Sequence, residues 1–178
     1  SVVAMRQIEP QLVQEMVKAG CILVENQQDI QRLVDLTVLP NGTPNKKFVG
    51  KNASVILDAA HIPYNGDPRL IIMRAPKNHP FAVIEMLMPI LPVVTVDSFD
   101  EGLDVCLMLE AGLHHTATMH SLNMERLNRM ARKMKTSIFV KNGPSYAGLG
   151  FSGEGTTTFT IATPTGESTT SARCFARR

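Results

Sequence analysis

Apolar residues recur at helical spacing in the first half of the chain, between short apolar runs that are typical of strands. Between residues 9 and 19 the apolar positions lie three or four residues apart, as on one face of a helix. Pro10 lies near the expected helix start, where proline is tolerated, and Gly20 is a stop signal. The same criteria predict strands at 2–5, 21–24 and 70–73, and helices at 9–19, 29–38 and 52–61.

The second half of the chain alternates more regularly between strand and helix. A β-branched run at 91–97 indicates a strand, and Ser98 and Glu101 have the spacing of a capping box at a helix start. Further strands are predicted at 114–120 and 137–141, with a helix at 122–135 between them. Strand, helix, strand, helix, strand with short connections is typical of a parallel sheet with right-handed crossovers. We therefore predict an α/β fold with a parallel-sheet βαβαβ core.

The chain changes character at 142–178, where Gly, Ser and Thr dominate and we expect a loop-rich end with one short strand at 157–162. The motif G-x-G-x-x-G occurs at Gly148, Gly150 and Gly153. Such a motif binds a dinucleotide only when it lies between the end of a strand and the start of a helix. The β-branched run that follows does not open a helix. We interpret the segment as a flexible loop whose glycines let the backbone approach a ligand or a neighbouring segment.

Length and composition narrow the class of protein. The chain has 178 residues, 44% hydrophobic and 19% charged, so it can bury a globular core without a disulfide or a structural metal. A net charge of +2 gives no electrostatic argument for nucleic-acid binding, and no apolar run is long enough to cross a membrane. Three cysteines, an odd number, are typical of reduced thiols in the cytosol. Because the chain starts with Ser and ends without a polar tail, we expect it to be a piece of a longer protein.

The histidines and cysteines predict neither a metal centre nor a nucleophile. The chain contains no H-E-x-x-H and no C-x-x-C, and His114 and His120 would lie about 20 Å apart along a strand. Cys21 and Cys106 lie in apolar contexts that are typical of packing residues. Cys174 lies in a basic stretch near the end of the chain. We expect no metal site and no catalytic residue among these side chains.

Glu85 is the charged residue that stands out, because it is a lone carboxylate in the strongly apolar run 83–94. Burying a charge there is costly unless the carboxylate is paired or binds a polar ligand. Two interpretations remain open from the residues themselves: Glu85 caps a turn, or Glu85 contacts a ligand.

The same run carries a family resemblance. The segment Glu85-Met-Leu-Met-Pro89 resembles the E-x-F-G-P segment of the aldehyde dehydrogenase superfamily. Three further stretches resemble the CoA-acylating aldehyde dehydrogenases, above all those of ethanolamine and propanediol utilisation microcompartments: 115–121, 138–150 and 158–167. The resemblance extends over essentially the whole chain.

This resemblance implies an enzyme that attacks an aldehyde with a cysteine thiolate, passes hydride to NAD and releases the thioester to coenzyme A. The chain would be the C-terminal catalytic domain, an α/β parallel-sheet βαβαβ core with helices on both faces. It would lack the upstream dinucleotide-binding domain and the nucleophilic cysteine, which lies just before the strand at 2–5. No catalytic residue is then expected in this chain, which by itself is expected to be inactive.

The resemblance assigns two cofactor-binding residues. Glu85 matches the carboxylate that takes the ribose hydroxyls on the nicotinamide side. Leu87 occupies the place where hydrolytic relatives carry phenylalanine beside the nicotinamide, and Met88 replaces their glycine. Both departures change the shape of a pocket that must admit coenzyme A.

The resemblance also implies cofactors, partners and a location. The cofactors are NAD and coenzyme A, the latter as co-substrate, without a metal. The partners are a short-chain aldehyde, further copies of the complete enzyme in a homo-oligomer, and microcompartment shell or lumen proteins, with no nucleic acid and no membrane. The location is cytoplasmic, within a bacterial microcompartment. Two alternatives remain open: the aldehyde-dehydrogenase half of a bifunctional aldehyde–alcohol dehydrogenase, and a non-catalytic interaction domain on the same fold.

Overall fold

The computed structural model describes residues 1–151, which divide into two compact units, one formed by Ser1–Val105 and the other by the chain from Cys106 onward. The strands of the first unit are β1 (Val2–Met5), β2 (Cys21–Leu23), β3 (Leu70–Arg74) and β4 (Ile90–Val96). They form a parallel sheet in the order β1-β4-β3-β2. Because all four strands run in one direction, they all begin at one edge of the sheet, which we call the amino edge.

Helices cover both faces of this sheet. They are α1 (Glu9–Lys18), α2 (Gln27–Thr37), α3 (Ala53–Ala59) and α4 (Pro80–Val83). Successive side chains of a strand point to opposite faces, so Ile72 of β3 packs with Val13 of α1. Ile71 of β3 belongs to the cluster on the other face, with Ile30 of α2 and Ile56 of α3. The predicted α/β core with a parallel sheet and helices on both faces is confirmed.

The second unit contains a two-stranded parallel sheet. Helix α5 (Phe99–Glu110) follows β4, and β5 (Thr116–Met119), α6 (Met124–Met134) and β6 (Ile138–Lys141) come next. β5 pairs with β6 in parallel. The sequence pattern predicts one run of strands from β4 to β6, but in the described residues β4 pairs with β1 on one edge and β3 on the other. Both edges of β4 are therefore occupied, and β5 and β6 form a sheet of their own.

Polar caps account for two of the small differences between predicted and observed helix bounds, at the starts of α2 and α6. The side chain of Asn26 accepts a hydrogen bond from Gln28 N–H and starts α2 two residues earlier than predicted. Asn123 likewise starts α6, two residues later than predicted. Ser98 accepts from Glu101 N–H as the capping box requires, while Glu101 accepts from Asp97 N–H. Within residues 1–151, none of the helices has the length and apolar character needed to span a bilayer.

The glycine-rich segment begins with a short 3₁₀ helix, Ser145–Leu149. A Cβ on Gly148 would stand 2.2 Å from Cγ2 of Ile138 in β6, far inside van der Waals contact. Gly148 therefore allows the close approach to a neighbouring segment that we inferred for these glycines. Gly153, Cys174, the motif at 158–167 and the strand predicted at 157–162 lie outside the described residues.

Candidate functional site

The amino edge brings together two parts of the chain that are far apart in sequence. β1 and β4 are parallel neighbours, with Val2 opposite Val93. The hydroxyl of Ser1 donates a hydrogen bond to the carbonyl of Ala82 in α4, at 3.1 Å. The segment at 84–89 leads from α4 into β4. The point where the chain enters β1 and the segment that carries Glu85 and Leu87 therefore lie at the same edge of the sheet.

Side chains of the 84–89 segment alternate between the core and solvent. Met86 is buried and packs in the same apolar cluster as Phe48, whereas Glu85 and Leu87 are exposed. The carbonyl of Leu87 accepts a hydrogen bond from the N–H of Gly50, at 3.0 Å. The buried methionine and this hydrogen bond anchor the segment, so that Glu85 and Leu87 project from a fixed backbone.

The backbone of Leu87 lies in the left-handed region, with φ of 54°. This conformation is uncommon for residues other than glycine, asparagine and aspartate. The Leu87 side chain is also 62% exposed, so its apolar surface is not used to build the core. Unusual backbone conformations of this kind persist only where surrounding contacts hold them, and they cluster at functional sites.

Glu85 is exposed, and within residues 1–151 it makes no hydrogen bond or ion pair. The expectation of a costly buried charge in the apolar run is therefore wrong, because the apolar neighbours of Glu85 turn to the opposite side. The turn-cap interpretation finds no hydrogen bond to support it in the described residues. Both carboxylate oxygens remain available as acceptors for a vicinal diol, and the exposed Leu87 offers an apolar contact beside them.

Helix α4, which the sequence pattern did not predict, positions this segment. Nδ1 of His79 accepts a hydrogen bond from Phe81 N–H at 3.2 Å and so caps the helix. The two rings lie against each other with their centroids 5.2 Å apart. Burial lowers the pKa of His79, which favours the neutral ring that this hydrogen bond requires. The H-P pair at 79–80, a polar residue followed by proline, is the sequence signal that could have predicted this helix start.

The two described cysteines lack the properties of nucleophiles. Burial raises the pKa of Cys21, and it raises the pKa of Cys106 to about 11. Both are therefore thiols at neutral pH, whereas thiolates are the reactive form. Within residues 1–151, no group of three His, Cys, Asp or Glu side chains could hold a metal ion.

Comparisons with known proteins show what the chain is similar to. No family model matches the chain. Propanal dehydrogenase (CoA-propanoylating) of Citrobacter freundii is 52% identical over 178 residues, which are 99% of this chain and 38% of that protein. Among solved structures, Rhodopseudomonas palustris propionaldehyde dehydrogenase with bound propionyl-CoA is 44% identical with a TM-score of 0.93, covering 98% of this chain and 39% of that one. A propionaldehyde dehydrogenase from the Clostridium phytofermentans fucose utilisation bacterial microcompartment is 40% identical, also with a TM-score of 0.93, covering 99% of this chain and 40% of that one.

The parallel sheet and these matches define a chain of the aldehyde dehydrogenase class. More particularly, it is a homologue of the CoA-acylating aldehyde dehydrogenases, and the resemblance read from its motifs is confirmed. The chain spans about two fifths of the length of the relatives it matches.

Proposed function

We propose that this chain is part of the catalytic domain of a CoA-acylating aldehyde dehydrogenase. The overall reaction converts a short-chain aldehyde, NAD⁺ and coenzyme A to an acyl-CoA, NADH and a proton. The observation that carries the proposal is the meeting of the chain entering β1 with the segment of Glu85 and Leu87 at the amino edge. A nucleophile placed just before β1 and a cofactor site placed just before β4 would then lie side by side.

The domain assignment follows from the same arrangement. We assign 1–178 to the C-terminal catalytic domain, with a loop-rich end at 142–178. The nucleophilic cysteine and the dinucleotide-binding domain belong to chain that precedes residue 1 in the complete protein. The raised pKa values of Cys21 and Cys106 support this assignment, because neither thiol is prepared for attack on a carbonyl.

Glu85 and Leu87 are the residues of this chain that we assign to NAD. Glu85 accepts hydrogen bonds from both hydroxyls of the ribose on the nicotinamide side, and Leu87 packs against the nicotinamide ring. When bound, NAD supplies the hydride acceptor for the reaction. The role of these two residues is to fix the position of that acceptor, since a misplacement of about 1 Å can cost roughly a hundredfold in rate. The absence of a bulkier aromatic ring at Leu87 leaves room for coenzyme A to approach the thioester.

We extend the proposal to assembly and location. The complete enzyme forms a homo-oligomer and works inside a cytoplasmic bacterial microcompartment, with shell or lumen proteins as neighbours. The relative from a fucose utilisation microcompartment supports this location.

The test uses the full-length protein with acetaldehyde or propionaldehyde, NAD and coenzyme A. Steady-state NADH formation is expected only when all three are present. When coenzyme A is withheld, about one NADH per active site should form, and mass spectrometry should detect the acyl group on a cysteine upstream of residue 1. NADH formation at the same steady rate without coenzyme A would identify a hydrolytic enzyme instead. An upstream region without any cysteine would overturn the proposal.

A further inference from the structure

A cavity of about 510 Å³ opens at the amino edge, next to Leu87. Three segments line it: 50–53, which leads into α3; 67–69, which leads into β3; and 87–89, which leads into β4. The cavity therefore lies beside the segment that we assign to NAD, and its size is within the range of small-molecule sites.

Two positively charged side chains line this cavity. Lys51 comes from the turn before α3, and Arg69 comes from the residue before β3. Neither side chain makes a hydrogen bond or an ion pair within residues 1–151, whereas four other cations of the first unit, Arg6, Lys18, Arg32 and Arg74, each pair with a carboxylate. Asp67 also lines the cavity, so that the lining side chains carry a net charge of +1.

We propose that this cavity binds a phosphate group of a cofactor of the enzyme, with Lys51 and Arg69 as its charge partners. The inference rests on the proposed function, because NAD and coenzyme A are the two phosphate-bearing compounds that the proposed reaction uses. An ammonium and a guanidinium that line one cavity from separate segments can both make charge-assisted hydrogen bonds to a bound phosphate. The carboxylate of Asp67 repels the same anion and so weakens its binding, which favours release.

The surroundings hold the site in a defined shape. The N–H of Gly50 is bound to the carbonyl of Leu87, which joins two of the lining segments directly. The backbone N–H of Arg69 donates to the carbonyl of Gly20, and the aliphatic stem of Arg69 passes 3.6 Å from the position that a Cβ on residue 20 would take. Backbone contacts rather than the charged groups themselves therefore fix the segments, which leaves those groups available for a ligand.

The experiment measures dissociation constants by titration calorimetry on the full-length protein. The ligands are coenzyme A, its analogue without the 3′-phosphate, and NAD. Lys51→Gln and Arg69→Gln should each weaken binding of the phosphate-bearing ligand about tenfold, while Asp67→Asn should tighten it several-fold. Lys46→Gln is the matched control, since Lys46 is an exposed lysine of the same loop that does not line the cavity, and it should change nothing.

The three ligands distinguish the source of the phosphate. If the cation variants lose affinity for coenzyme A but not for the analogue, the site binds the 3′-phosphate. If they lose affinity for NAD to the same extent, the site binds the diphosphate. Dissociation constants that stay within about twofold for all ligands in both cation variants would overturn the inference. A loss of affinity in Asp67→Asn as large as that in Lys51→Gln would also overturn the inference, because damage to the fold rather than the change of charge would then be its cause. Absence of CoA-dependent NADH formation by the unmodified enzyme is the separate result that refutes the proposed function.

Discussion

In the segment at 84–89 the side chains alternate between buried and exposed, so that some residues stabilise the fold and others are available to bind a ligand. Met86 packs in the core with Phe48, and the hydrogen bond from Gly50 holds the backbone at Leu87. Glu85 and Leu87 make no comparable contribution to the core, although a left-handed leucine costs about 1–2 kcal/mol. We therefore place the proposed ligand contacts at these two exposed positions.

Replacing Glu85 by glutamine in the full-length enzyme should weaken NAD binding and slow NADH formation. A carboxylate that accepts two ribose hydroxyls makes two charge-assisted hydrogen bonds, each worth about 1.5–3 kcal/mol, and glutamine keeps only one oxygen acceptor. Misplacing the ribose by about 1 Å can cost roughly a hundredfold in rate. Transfer of a preformed acyl group to coenzyme A should change little, because no hydride moves in that step. Single-turnover NADH formation and acyl transfer are measured side by side.

Glu15→Gln is the control for this substitution. Glu15 is exposed on α1 and pairs with Lys18, so that losing its charge should leave both half-reactions unchanged. If Glu85→Gln folds normally and keeps the NAD affinity and the NADH formation rate of the parent enzyme, the assignment of Glu85 fails.

Gly148 permits a second residue-scale prediction, which concerns stability. Gly148→Ala should destabilise the protein by about 1–3 kcal/mol, since its Cβ would overlap Cγ2 of Ile138. Ile138→Ala removes that methyl group, so the alanine at 148 should cost much less in this background. Chemical denaturation of the four proteins in the cycle measures the coupling. Equal costs of Gly148→Ala in both backgrounds would contradict the close contact.

At the scale of elements, the sequence predicts which segments are strands and helices better than it predicts how they pair. Apolar periodicity identifies β4 and β5 correctly, because burial acts on each element locally. The same pattern does not reveal that β1 occupies one edge of β4, since strand pairing depends on contacts distant in sequence. For the same reason the apolar run does not reveal that Glu85 is exposed, since the pattern does not give the side to which each residue turns. The four-residue helix α4 is too short to show the helical periodicity of apolar residues by which helices are predicted.

The cap of α4 should make this element sensitive to pH. Burial lowers the pKa of His79 in the folded protein below its unfolded value of 6.5, so the unfolded chain takes up the proton first. The stability that the neutral ring contributes is therefore present above about pH 6.5 and is lost as the pH falls through the folded pKa. Protonated His79 cannot accept from Phe81 N–H. His79→Asn keeps a capping acceptor that does not titrate in this range.

Amide exchange of Phe81 in the full-length protein measures this effect. Between about pH 7.5 and about pH 5.5, protection of Phe81 should fall in the parent protein relative to His79→Asn at the same pH. If the protection of Phe81 changes equally with pH in the two proteins, the cap does not depend on the charge of His79.

At the scale of the whole molecule, the direction of the strands determines where chemistry can occur. In a parallel sheet the segments that precede the strands all meet at one edge, and here those before β1, β3 and β4 supply Ser1, Arg69 and Leu87. The charged cavity and the proposed NAD site share that edge. Any nucleophile that precedes residue 1 would therefore enter the same region as the NAD site that we propose. The proposed division, with the cofactor contacts in this chain and the reactive cysteine before it, needs only that both meet at this edge.

The isolated chain of 178 residues should therefore fold but produce no NADH from aldehyde, NAD and coenzyme A. Its first unit has apolar clusters on both faces of the sheet, which should give a cooperative thermal melt. Its described thiols, Cys21 and Cys106, are protonated at neutral pH because burial raises their pKa. The full-length enzyme at the same molar concentration is the positive control, followed by NADH absorbance. Turnover by the isolated chain that disappears when Cys21, Cys106 or Cys174 is replaced would refute the upstream nucleophile.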